Sequence, residues 1–272
     1  MGATPLRWVA HYQQPESMIM LTKSDLVAAF RKVGLIEGDL VLVHSALRTL
    51  GPVEGGADSV IDALLETVGP AGTVAVPTHT WKIVNGAQPV FHQTLSPANV
   101  GALTNVFRLR PNALRNLHPT HSVAAIGPRA AEFIACPNMT TPAQPDSPYG
   151  KLRDWGGKVL IIGPGLECCT FFHGCEQWAG MPRAVSEQPV QLYSITADGQ
   201  VIPVLLRHHV VNTWDQYPKL EPYLLEIGAL TIGKAGDCDL RLLDAAKAAA
   251  WLVPQLQKDP SIILPEPSSS EP

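Results

Sequence analysis

His173 and Glu176 stand three residues apart in a short apolar segment, Thr170-Phe171-Phe172-His173-Gly174-Cys175-Glu176-Gln177-Trp178-Ala179. On a helix that spacing puts both side chains on one face. A carboxylate beside an imidazole can hold its tautomer and raise its basicity. That is half of a proton-transfer device. The same pair on a solvated helix is a surface contact worth roughly a few tenths of a kcal/mol, so the surroundings decide between the two.

The other reactive side chains admit several chemistries. Cys168, Cys169 and Cys175 crowd around His173, with His118 and His121 elsewhere. They resemble metal ligands at first sight, but they form no Cys-x-x-Cys pair and no metal is expected. A thiol nucleophile activated by His173 is an alternative; small buried cysteines filling space is the plainer reading. Gly55-Gly56 lies between an apolar run and a helix-like run, where backbone N–H groups can approach a phosphate. It is neither the P-loop nor the dinucleotide pattern, and by itself it reads as a tight turn. Gly-x-Ser-x-Gly is absent from the sequence, which argues against an α/β-hydrolase. Trp81 and Trp178 can line a pocket or sit in a core. Asp146, Asp215 and Glu221 fall in loops, solvated unless a cleft uses them to receive an ammonium. His208-His209 follow a strand and read as surface residues.

The elements that position these residues read as α/β. Leu26, Val27, Phe30 and Val33 have helical spacing, with Thr22 or Ser24 as a cap and Gly34 as the stop. Leu40 to Val43 is a continuous apolar run suited to a strand covered on both faces. A helix over about 57–68 and a strand at Thr73 to Pro77 follow. Strand, helix and strand in that order imply a parallel component, with ligands at the carboxyl ends of the strands. Lys158 to Ile162 is the strand leading into the His173 segment, whose helix Thr170 can cap. Further helices are expected over 100–109, 130–136 and 151–155, with antiparallel strands at 189–195 and 201–207. Leu220 to Leu230 and an Ala-rich Leu240 to Leu252 read as the last two helices. One domain is expected over residues 1–258, opening on a loose arm to residue 19. The Pro/Ser/Glu-rich segment 259–272 is expected to be a disordered tail.

Composition narrows the function. The 272 residues are 46% hydrophobic and 16% charged, with formal net charge −4 and pI of about 6.1. No Lys/Arg cluster suggests nucleic acid. No apolar run reaches the roughly 20 residues of a membrane span, and Met1 to Ser17 lacks a signal-peptide pattern. Five cysteines, an odd number, make no disulfide framework, so a reducing cytoplasm is the expected location.

Four blocks in order resemble the aminoglycoside 3-N-acetyltransferase family, the antibiotic N-acetyltransferases distinct from the GNAT superfamily. They are His44-Ser45-Ala46-Leu47 with Leu50-Gly51-Pro52-Val53-Glu54-Gly55-Gly56; Val76-Pro77-Thr78-His79-Thr80-Trp81; His118-Pro119-Thr120-His121-Ser122-Val123-Ala124-Ala125-Ile126-Gly127; and Ser147-Pro148-Tyr149-Gly150 through Thr170-x-x-His173-x-x-Glu176. The resemblance implies a three-layer α/β/α sandwich with a mixed, partly parallel sheet. It implies direct acetyl transfer from acetyl-CoA to an amine, in the family the 3-amino group of a 2-deoxystreptamine aminoglycoside. It implies His173 as general base, Glu176 as its orienter and Thr170 near the thioester. It places Ser45, Val53, Gly55, Gly56, Ser122 and Tyr149 along the CoA groove, and His79, Trp81, Asp146 and Asp215 toward the acceptor. The implied partners are small molecules, with neither nucleic acid nor membrane, in a monomer or homodimer. The acidic region downstream is thin, and His79 and Trp81 are bulky for a polycation cleft. A non-aminoglycoside amine is therefore a second acceptor class, and a cysteine- or zinc-dependent hydrolase the reading outside the class. A family member that binds CoA but has lost transfer is a third, against which His173 and Glu176 stand.

Overall fold

The structure, a computed structural model, describes residues 20–210 and 212–264. The N-terminal arm and the last eight residues of the expected tail lie outside the described residues. In chain order the elements are α1 (Lys23–Val33), β1 (Leu40–Ser45), α2 (Gly56–Val68), β2 (Thr73–Pro77), β3 (Val90–His92), α3 (Ala102–Phe107), β4 (Leu114–Arg115) and β5 (Val123–Ile126). There follow α4 (Ala130–Ile134), α5 (Pro148–Asp154), β6 (Lys158–Ile162), α6 (Phe171–Trp178), β7 (Val190–Ile195), β8 (Val201–Leu206), α7 (Glu221–Glu226), β9 (Leu230–Ala235), β10 (Cys238–Asp244) and α8 (Ala245–Lys258).

Seven strands form one sheet in the order β4-β5-β2-β1-β6-β10-β9. The centre, β2-β1-β6, is parallel, and the flanks are antiparallel. Alternation along the central strands covers both faces. Val41, Val43, Leu160 and Ile162 join α1, α2 and α3 in one core, while Leu40, Leu42, Val159 and Ile161 join α4, α5, α6 and α8 in the other. This is the expected three-layer sandwich with a mixed sheet. A second sheet, β3-β7-β8, stands beside it with its own small core around Phe91, Leu192 and Leu206. Among the described residues no helix is long and apolar enough to cross a membrane.

Local chemistry explains the boundaries. Thr22 caps α1 in a reciprocal capping box with Asp25, and Gly34 ends it at φ 116°. The last third of the chain departs from the sequence reading. Leu220 to Leu230 yields only α7, and Leu230 opens β9. The expected helix from Leu240 is instead the end of β10, in which Leu240 and Leu242 face inward against β6. The helix starts after Asp244, whose side chain accepts from the Lys247 N–H at 3.0 Å. The short strand β3 is an element for which the sequence reading has no counterpart. Residues 259–264 are not loose: Pro260–Ile263 form a 3-10 turn that buries Ile263 in the core beside α8.

Candidate active site

The three parallel strands end side by side, and their carboxyl ends open a cleft of about 700 Å³. β1 delivers His44 and Ser45, β2 runs on to His79 and Trp81, and β6 runs on to Pro164, Glu167 and Cys168. Thr170 and His173 from α6 line one wall, with His208, His209 and Trp214 from the segment after β8. Two polar atoms at the strand ends, His44 Nε2 and Ser45 Oγ, are buried with no hydrogen-bond partner among the described residues.

α6 is fixed by its apolar side. Phe171, Phe172 and Cys175 are fully buried in the core below it, which turns His173 toward the cleft and Glu176 inward. His173 Nδ1–H donates to Glu176 Oε2 at 3.1 Å. Glu176 is 0% exposed and accepts three more hydrogen bonds: from His209 Nε2–H at 2.6 Å, from the Tyr217 hydroxyl at 2.8 Å and from the Thr213 hydroxyl. The Tyr217 oxygen also lies 2.6 Å from His173 Nδ1. The two imidazoles pack at a centroid separation of 3.9 Å. Burial would raise the Glu176 carboxyl, but the bonds and charge of His173 and His209 outweigh it and hold it at about 2. It is therefore a fixed anion. Burial pushes His173 below its ordinary value, with Glu176 opposing the shift. Its Nδ1 is committed to Glu176, so Nε2 is the free lone pair of a neutral base at neutral pH.

His209 was invisible as a partner from sequence, and the surface reading of the pair His208-His209 is corrected here. Val185 holds the His209 backbone in an isolated bridge, and Ser186 N–H donates to the His208 carbonyl at 2.7 Å. Both rings face the cleft, and the His209 side chain is 9% exposed. The expected Thr170 cap is also corrected. Its backbone is already helical at φ −57° and ψ −22°, and its side chain makes no cap bond. An N-cap needs an extended backbone to aim its oxygen at the first turn. The hydroxyl of Thr170 is free toward the cleft instead.

The remaining expected residues divide. His79 and Trp81 line the cleft, as does Ser45. Val53 packs against the core of α1 and α2, and its backbone bridges Leu21. Gly55 and Gly56 form the N-terminus of α2 at φ 73° and 60°. Both lie in the left-handed region that favours glycine, and a Cβ on Gly55 would also crowd the Ser59 hydroxyl. Ser122 and Tyr149 do not reach the cleft. Ser122 is buried under β2, donating to the Thr78 carbonyl at 2.7 Å. Tyr149 is fully buried, and its hydroxyl shares a 2.7 Å hydrogen bond with His79 Nε2. Asp146 turns away to accept from Asn138 at 2.7 Å, and Asp215 is exposed while its neighbour Trp214 takes the cleft side. Trp178 lies in the core edge, its indole N–H donating to the Ala143 carbonyl at 2.9 Å. Glu221 is paired with Arg241 at 2.7 Å.

A buried cation supports the floor. Arg115, 6% exposed, donates to the Thr78 hydroxyl at 3.0 Å, to Ser122 Oγ at 3.1 Å and to the carbonyls of Thr78, Gln93 and Ser96. Every acceptor is neutral, and burial lowers the guanidinium to about 9. Metal and thiol chemistry find less support. His173, Glu176 and His209 offer donor atoms within 4.8 Å of one another, but N–H and O–H donors already fill the carboxylate. Burial pushes the Cys168 thiol up to about 12, and Cys169 and Cys175 are buried thiols pushed up likewise. A protonated thiol is a poor nucleophile.

Known proteins share this architecture. The chain is 30% identical over 249 residues to aminoglycoside N(3)-acetyltransferase IV of Salmonella sp, a match covering 90% of this chain and 91% of that protein. It is 35% identical over 215 residues to aminoglycoside N(3)-acetyltransferase VII of Streptomyces paromomycinus, covering 72% of each. The crystal structure of aminoglycoside acetyltransferase AAC(3)-IVa as an apoenzyme aligns with a TM-score of 0.81 at 27% identity, over 93% of this chain and 95% of that one. A structure of AAC-IIIb with CoASH aligns with a TM-score of 0.79 at 27% identity, over 92% and 100%. Residues 42–257 match the model of the antibiotic N-acetyltransferase family, described as aminoglycoside 3-N-acetyltransferase, and the chain belongs to that family of acyltransferases.

Proposed function

We propose that the protein is an acetyl-CoA-dependent N-acetyltransferase that moves the acetyl group directly to an amine, with His173 as general base. The observation that carries this reading is the buried Glu176 anion holding His173 Nδ1 at 3.1 Å at the mouth of a cleft. An attacking amine must shed a proton, and a neutral imidazole steadied by a carboxylate accepts it, typically worth roughly 10²–10⁴-fold. Acetyl-CoA, as cosubstrate, supplies an activated acyl group as a thioester. The unpaired Ser45 Oγ fits a polar group of that molecule, and the Gly55-Gly56 turn presents a helix N-terminus suited to its phosphates. The Thr170 hydroxyl, free of the helix, is placed to donate to the acyl oxygen as charge develops on it. Ser122 and Tyr149 act from behind, through Thr78 and His79.

The names of the relatives make aminoglycosides the reference acceptors, and the 3-amino group of a 2-deoxystreptamine the reference position. An amine outside that class is the second reading, favoured by a cleft in which neither Asp146 nor Asp215 appears. Protein, acetyl-CoA and a panel of amines, followed by free-thiol release and mass spectrometry of the product, test the transfer. Acetylated amine with stoichiometric thiol is the expected result. Failure to bind acetyl-CoA in calorimetry would remove the reading.

A further inference from the structure

The hydrogen bonds on Glu176 divide by oxygen. Oε1 accepts from the hydroxyls of Thr213 and Tyr217. Oε2 accepts from two imidazoles, His173 Nδ1–H at 3.1 Å and His209 Nε2–H at 2.6 Å. Two ring nitrogens therefore aim at one carboxylate oxygen, and the three atoms lie within 4.8 Å of one another. Protons on those nitrogens are what fills Oε2. A neutral imidazole has one proton and two nitrogens, and the proton can change places. A cation that takes the lone pairs of both nitrogens removes both N–H donors and gains Oε2 as a third ligand. Oε1 keeps its two hydroxyls throughout.

The donor set is that of a transition metal. Two imidazoles and one carboxylate suit Zn²⁺ or Cu²⁺, whereas Mg²⁺ and Ca²⁺ favour oxygen alone. At bond lengths of about 2.0–2.1 Å, tetrahedral ligand atoms stand roughly 3.3 Å apart. The 3.1 Å pair on α6 is close to that spacing, and the 2.6 Å pair to His209 has to open by roughly 0.7 Å. The Thr213 and Tyr217 hydroxyls orient the carboxylate from behind, as outer groups orient metal ligands. His173 and His209 both line the cleft, with side chains 19% and 9% exposed, which gives a cation its way in. His208, the neighbour of His209, adds no donor atom to the group.

We propose that His173, His209 and Glu176 form an inhibitory site for one transition-metal dication, Zn²⁺ in type. Binding follows from the donor geometry alone; the inhibition rests on the acetyl-transfer reading above. Zn–N bonds form at His173 Nδ1 and His209 Nε2 and a Zn–O bond at Glu176 Oε2, with water at the fourth position. Each displaced ring proton moves through solvent to the other nitrogen of its own ring, and no electron is transferred. For His173 that nitrogen is Nε2, the lone pair on which the general base depends. It becomes an N–H, so proton abstraction stops while acetyl-CoA still binds.

The full chain, stripped with a chelator, is titrated with ZnCl₂ in calorimetry and assayed with acetyl-CoA and the best amine of the panel. One Zn²⁺ per chain is expected, with kcat lowered at least about 10-fold at saturation, acetyl-CoA affinity unchanged and activity restored by EDTA. His209→Gln is expected to weaken Zn²⁺ binding at least about 10-fold and to shift the inhibition curve equally, while Cys168→Ser and His208→Gln keep the affinity within about 3-fold. Cys168 and His208 line the same cleft, so these variants separate the site from a scavenging thiol or a neighbouring imidazole. Electron paramagnetic resonance of Cu²⁺ bound to the wild-type protein is expected to show two imidazole nitrogens, a readout that needs neither a folded variant nor turnover. No stoichiometric Zn²⁺ binding, binding without loss of kcat, affinity lost in Cys168→Ser or His208→Gln rather than His209→Gln, or fewer than two imidazole nitrogens on Cu²⁺ overturns the proposal. If no amine is acetylated, the transfer reading and the inhibition fail together. Stoichiometric binding that is lost in His209→Gln then still supports the metal site, and its absence overturns it.

Discussion

Glu176 accepts four hydrogen bonds with its two oxygens, so its replacement has effects a surface pair would not. Glu176→Gln keeps the shape but turns one oxygen into a donor facing donors. We predict a kcat loss of about 10²-fold with acetyl-CoA affinity kept, read by steady-state kinetics and calorimetry. Proton accounting gives a second expectation. In the proposed mechanism His173 works as a neutral base, and burial puts its pKa below 6.5. The kcat profile of the wild-type protein is therefore flat above neutrality and falls as pH drops below 6.5. In Glu176→Gln the anion that raises the imidazole is gone, and the acid limb moves to still lower pH. An acid limb at higher pH in the variant would contradict the role of the carboxylate. Tyr217→Phe removes one donor to Glu176 and one neighbour of His173 and is expected to lower kcat by about 10-fold. The His173–Glu176 pair was legible because both residues lie in one helical turn. His209 was not, because it lies 33 residues from Glu176 and only the packing of the segment after β8 joins them. Tyr217 and Thr213 escaped for the same reason, and Arg115 because a lone arginine in a loop looks solvated.

At the scale of elements, the cleft depends on how tightly α5 enters the fold. Ser147 caps this helix, Pro148 starts it, and Gly150 passes against the preceding loop. A Cβ on Gly150 would sit 1.8 Å from the Pro145 carbonyl oxygen. Gly150→Ala must displace backbone, and we predict a destabilisation of about 3 kcal/mol in urea unfolding. Because Tyr149 and its bond to His79 move with that turn, turnover should fall in the folded fraction too. The parallel centre of the sheet was readable from continuous apolar runs bounded by glycine and proline. The hairpin β9-β10 was not. Leu240, Leu242 and Leu243 run into the alanines that follow, and the merged pattern imitates one long amphipathic helix. The cap residue Asp244 was the separating signal. Its weight came clear only with Leu240 paired across to Ile162.

For the whole molecule, burying so many histidines links stability to pH. His44 and His118 are each lowered by burial to about 4, and His79 and His121 also lie well below 6.5. Unfolded, these groups take up protons as pH falls through 6.5; folded, His44 and His118 resist until about 4, and His79 and His121 likewise stay neutral well below 6.5. The unfolded chain then binds more protons, so stability is complete above 6.5 and is lost as pH falls through that window. Each group steepens the loss by up to about 1.4 kcal/mol per pH unit. A melting temperature lower at pH 5 than at pH 7 by at least about 5 °C is expected; an unchanged value would mean that these imidazoles are solvated. Composition gave no hint of this, since nine histidines in 272 residues is an ordinary number. Only their convergence on the strand ends makes it a property of the fold.

The most direct test of the account compares wild-type protein with His173→Ala, each with acetyl-CoA and the best acceptor from the panel. The account predicts that turnover falls by at least about 10²-fold while acetyl-CoA still binds with unchanged affinity. A His173→Ala protein with wild-type turnover would contradict it.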